Sequence, residues 1–96
     1  VSLGEKQRKF TLMIAGLIIW AYREGYEITV GDFWAHDGHK DGSFHYKRLA
    51  ADLNLFKDGV YLTTTEAHKS LGLEWERMGG TWGGRFNDGN HYSLGE

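Results

Sequence analysis

Four side chains in this sequence could do chemistry together: His45, Asp52, Asp88 and His91. Asp52 is the odd one. Leu49, Ala51, Leu53 and Leu55 alternate with Ala50, Asp52 and Asn54, the pattern of a strand built against a core. An ionised carboxylate drawn out of water there needs a cation, a metal or a dense set of donors. Two imidazoles and one carboxylate, His45, Asp52 and His91, are a standard set for catalytic zinc, with the fourth position left to water. Water on zinc has its pKa drawn toward about 7, which supplies a hydroxide-like nucleophile at neutral pH. A hydrolase also needs a base that takes the proton and passes it to the leaving group. Asp88, in an Asn-Asp-Gly turn just before His91, is the candidate.

Simpler readings compete. Asp52 could pair with Arg48 or Lys47, and a single His at a strand edge is commonly a polar surface residue. His36 and His39, in "HDGH", also have metal-like spacing. His68 falls on the second expected helix and reads as solvated.

The elements that must position these groups fit one small domain, residues 1–96. Hydrophobic residues make up 41% and aromatics 15%, enough for a core rich in rings. With no cysteine, disulfides and thiolate metal sites are excluded, so a bound metal needs His and carboxylate ligands. A net charge of −2 and a pI near 6.2 give no basic footprint for nucleic acid. The apolar run "FTLMIAGLIIWAY" is short for a membrane span, and no small-residue cleavage site follows it. Its helical face is needed for the core, so membrane insertion is not expected.

Ser2 and Glu5 form a capping box, and Phe10, Met13, Ile14, Leu17, Ile18 and Ala21 recur at helical spacing up to a stop at Gly25. "YEITV" reads as a short strand. Residues 31–44 have no period and read as a loop. A strand over 48–56, a "KDG" turn and a returning "VYL" make a hairpin. Thr63 with Glu66 predicts a second capping box, opening a helix that stops at Gly79 or Gly80. The tail predicts a short strand, a Gly-rich turn and a last strand near 90–94. The expected class is α+β, with two main helices packed on an antiparallel sheet and the zinc site at that sheet.

The pattern Ser43-x-His45-x-x-x-x-Ala50-x-Asp52, followed by Asp88-x-x-His91, resembles the zinc peptidases that include D-Ala-D-Ala carboxypeptidases and bacteriophage L-alanyl-D-glutamate endopeptidases. The segments "LAADLNLFKDGVYL" and "WERMGGTWGGRFNDGNHYSL" look like the phage endolysin branch. The resemblance runs from the first helix to Leu94. It implies zinc on His45, Asp52 and His91, and Asp88 as general base and acid. It also implies a supporting or substrate-contacting hydroxyl at Ser43, and Trp82 near the cleft. Two departures stand out. Arg48 occupies the position of a glycine in the family pattern, and between Val30 and Ser43 there is no Arg to hold an oxyanion. His36, His39 or Lys40 could supply that donor.

The resemblance implies an endopeptidase that cuts peptidoglycan stem peptides and serves phage lysis. It would be made in the host cytoplasm without a signal peptide and reach the wall after another protein opens the membrane. A carboxypeptidase would need an Arg fork for the substrate's free carboxylate, and the 31–44 loop has none. A non-catalytic wall- or protein-binding module with structural zinc is the alternative of a different class, though a structural site has no need of Asp88. Trp34, Tyr46, Trp82 and Tyr92 could flank the peptide, but core packing is the simpler role for such rings. A monomer is expected, drawing its wall affinity from the cleft or its rim.

Overall fold

The computed structural model describes residues 1–33 and 47–95. Over these, the chain is α+β: helix α1 (Leu3–Arg23), strands β1 (Tyr26–Asp32), β2 (Ala50–Lys57) and β3 (Val60–Leu62), helix α2 (Lys69–Arg77), and strands β4 (Thr81–Trp82) and β5 (His91–Ser93). Every strand pairing is antiparallel. β2 is the centre of the sheet. β1 runs along one edge of it, while β5 pairs with residues 50–52 and β3 with residues 55–57 of β2. β4 extends the sheet beyond β5.

Local chemistry sets most element ends. The Ser2 hydroxyl accepts from the Glu5 amide and the Glu5 carboxylate accepts in return, so the expected capping box is formed. Gly25, at φ 91°, ends α1 in the left-handed region that glycine enters without steric cost. Asp58 and Gly59 both have positive φ, at 52° and 77°, the geometry of a two-residue hairpin turn. The second helix starts differently from the sequence expectation. Thr63 and Glu66 do not form the box; the Thr64 hydroxyl accepts from the Ala67 amide at 3.1 Å. A 3-10 turn, Glu66–His68, then leads into α2.

One face of the sheet meets both helices. Ala51, Leu53 and Leu55 of β2 pack with Phe10, Met13, Ile14, Leu17 and Ala21 of α1 and with Leu71 and Trp75 of α2. Trp75 is the hub: fully buried, it meets Phe10 and Tyr92 edge to face, with centroids 5.8 and 6.2 Å away. Its indole N–H donates to the Ser93 carbonyl at 2.8 Å, tying α2 to the last strand.

His68 is not solvated, contrary to the sequence reading. It is 2% exposed, and its Nδ1 lies 2.8 Å from the hydroxyl of buried Tyr92. Desolvation lowers the imidazole pKa from 6.5 to about 4 and raises that of the Tyr92 phenol. The folded state therefore holds His68 neutral where the unfolded chain would protonate it. The resulting stability is complete above pH 6.5 and is lost as pH falls toward 4, by about 3 kcal/mol in all. Urea titrations in chelator across that range should show the wild-type slope exceeding that of His68→Gln. Identical slopes would rule out His68 as the source.

Candidate metal centre

Asp52 and His91 come together through strand register. β5 pairs with β2 so that Ala50 faces Ser93, Ala51 faces Tyr92 and Asp52 faces His91. The Leu53 amide donates to the Asn90 carbonyl at 2.9 Å, which fixes the next step of the approach. Directly opposed residues point to the same face, here the one opposite the core side chains Leu53 and Tyr92. His91 Nδ1 lies 3.4 Å from Asp52 Oδ1, with side chains 14% and 24% exposed.

That separation can be compared with two models. A charge-assisted N–H···O bond is shorter, about 2.7–2.9 Å. Two ligands on one tetrahedral zinc, each bonded at about 2.0–2.1 Å, stand about 3.3–3.4 Å apart. The pair thus fits a shared divalent cation. Among the described residues no group of three or more ligating side chains occurs. The expected third ligand, His45, lies outside the described residues, as do Ser43, His36, His39, Lys40, Trp34 and Tyr46.

The sequence pattern alone puts Asp32 in the 31–44 loop, with no role. A bulge between Val30 and Asp32 carries it to the end of β1, opposite Asp52 on the other side from His91. Like charges directly across a sheet destabilise it, so two carboxylates placed here call for compensating charge or hydrogen-bond donors. A Cβ at Gly31 would lie 3.1 Å from the Asp52 carbonyl, so glycine suits the bulge. Alternation in "ITVGD" could have signalled the strand, but not its register.

Asp88 is set by the turn before β5. The His91 amide donates to the Asp88 carbonyl at 3.2 Å, closing a four-residue turn that keeps their Cα atoms within about 7 Å. The Asp88 amide donates to the Gly83 carbonyl at 2.9 Å, and the residue is exposed. Gly89, at the centre, is held on both sides: its carbonyl accepts from the Trp82 indole at 2.8 Å and its amide donates to the Thr65 hydroxyl at 3.1 Å. Trp82 is 7% exposed and works beneath this turn, so core packing is its role; the same holds for fully buried Tyr92.

The glycines of "GGTWGGRFNDG" make this packing possible. A Cβ on Gly83 would fall 2.4 Å from the Asp88 carbonyl, and one on Gly89 2.5 Å from Thr65 Cα. Gly72 on α2 and Gly84 similarly leave room for the Trp82 ring. Arg48 occupies a glycine-type position as well. Its φ of 58° is left-handed, which costs a side-chain-bearing residue roughly 1–2 kcal/mol.

The chain matches no protein-family model and no curated protein.

Gly89→Ala should destabilise the protein by about 1–3 kcal/mol, because backbone rather than a flexible side chain must yield. By displacing His91 it should also weaken any zinc binding at the Asp52–His91 pair. Urea unfolding and competition with a chromogenic chelator measure the two effects; wild-type values in both would mean that the turn has slack. At position 48, a β-branched Val is expected to lower stability, while Gly is tolerated because it relieves the left-handed backbone. Thermal melts of the two variants provide the comparison.

Proposed function

We propose that this protein is a zinc-dependent peptidoglycan endopeptidase that hydrolyses the L-alanyl-D-glutamate bond of wall stem peptides during phage lysis. The observation that carries the reading is the Asp52–His91 pair, at ligand-to-ligand spacing on adjacent strands, with Asp88 held one turn away. His45, Asp52 and His91 would hold the metal. Zinc bound there would supply Lewis acidity toward the scissile carbonyl and a nucleophile at neutral pH.

The chain's own residues divide the remaining work. Asp88 takes the proton of the attacking water and returns it to the departing amine, a role that suits an exposed carboxylate held one turn from His91. Register fixes His91 and Asp52, so the ligands do not need to reorganise as charge develops. A site that used zinc for structure alone would have no task for Asp88. No described helix is long and apolar enough to cross a membrane. Reaching the wall after another protein opens the membrane remains part of the proposal.

Elemental analysis should find one zinc per chain in both wild type and Asp88→Asn. Release of new amino termini from purified peptidoglycan should fall at least about a hundredfold in the variant. Asp52→Asn should lose zinc as well as activity. Full zinc with no cleavage by wild type, across several wall types, would end the peptidase reading and leave a structural metal site.

A further inference from the structure

We propose that the sheet face beyond the Asp52–His91 pair is a glycan subsite, which takes the sugar to which the stem peptide is attached. The inference rests on the peptidase reading and specifies its substrate class: stem peptide still joined to the glycan strand, in preference to free peptide.

The period of β2 puts Asp52, Asn54 and Phe56 on the face opposite Leu53 and Leu55. Register brings Thr29 beside Asn54 and Glu27 beside Phe56 from β1, with Tyr61 on the other flank of Phe56. Asn54 is oriented from both sides, donating to the Thr29 hydroxyl and accepting from the Tyr61 hydroxyl, each at 3.3 Å. Phe56 and Tyr61 stack with centroids 5.0 Å apart and planes 26° from parallel, which stiffens the aromatic surface. A cleft of about 260 Å³ opens beside it, lined by Tyr22, Glu27, Ile28, Thr29 and Phe56.

An aromatic face next to a carboxylate and hydroxyls complements a pyranose ring, whose C–H face stacks while its hydroxyls donate to the carboxylate. Among the described residues the lining includes one carboxylate and no cation, which suits a neutral N-acetyl sugar better than an anionic ligand. Peptide added as a further strand is a poor fit. The Tyr22 hydroxyl bonds both the amide and the carbonyl of Ile28, at 3.2 and 3.3 Å, and so occupies the edge of β1. Spacing agrees as well. Phe56 lies four residues, about 14 Å, along the strand from Asp52. In peptidoglycan a lactyl group and L-alanine separate the scissile amide from the muramyl ring, an arm of about 7 Å. The ring beyond that arm spans the remaining distance toward Phe56.

The zinc-loaded protein can be tested with N-acetylmuramyl-L-alanyl-D-isoglutamine and with the same dipeptide lacking the sugar. Wild type should prefer the sugar-bearing substrate in kcat/KM. Phe56→Leu and Glu27→Gln should each cut that preference about tenfold. In Asp88→Asn, which holds the substrate uncleaved, titration with the muramyl dipeptide should shift the amide resonances of Glu27, Thr29 and Phe56. Cleavage with an unchanged preference in both variants, or no shift at these amides, would overturn the subsite. Shifts at these amides with no cleavage by wild type would keep the subsite and overturn the peptidase reading instead.

Discussion

The register of β5 on β2 is the constraint on which the rest of the candidate site depends. Three residues pair, and strand side chains alternate, so a slip by one residue would send His91 into the core and Tyr92 to the opposite face. A strand this short cannot hold its own register. Tertiary contacts do so: Trp75 binds the Ser93 carbonyl, and His68 binds the Tyr92 hydroxyl. Those buried groups fix Tyr92 inward, and with it His91 toward Asp52.

The turn before β5 carries the same logic one step outward. Asp88 owes its place to backbone bonds with Gly83 and His91, and the Gly89 peptide groups are held by Trp82 and Thr65. The aromatic that seals the core is thus also the buttress of the turn. Glycine recurs here because backbone and rings approach closer than any Cβ allows. Large rings over small residues let a 96-residue chain position polar groups firmly with a modest core.

Two histidines show how environment divides one residue type. His68 is sealed in the core, where desolvation keeps it neutral and its bond to Tyr92 is structural. His91 sits on the opposite face of the sheet with one carboxylate beside it and a second, Asp32, one strand further on. Concentrated acceptors beside an imidazole favour a cation, and that is the physical basis of the zinc reading.

The sequence by itself determined what depends on neighbouring residues. The Ser2–Glu5 capping box, the Asp58-Gly59 turn, a helix stop at Gly79 or Gly80 and the alternation of β2 are all local, because their partners lie within a few positions. The α+β class followed from those elements. Only tertiary structure decided what depends on distant partners. Nothing near His68 announces Tyr92, 24 positions away. The apparent Thr63–Glu66 box gave way to a bond from Thr64, while Thr65 turned to Gly89 across the fold. Residue spacing could nominate Asp52, Asp88 and His91, since chemistry limits which side chains make a metal site. It could not bring Asp52 and His91 to 3.4 Å, or set Asp32 across from Asp52, because strand register is set by the core as a whole.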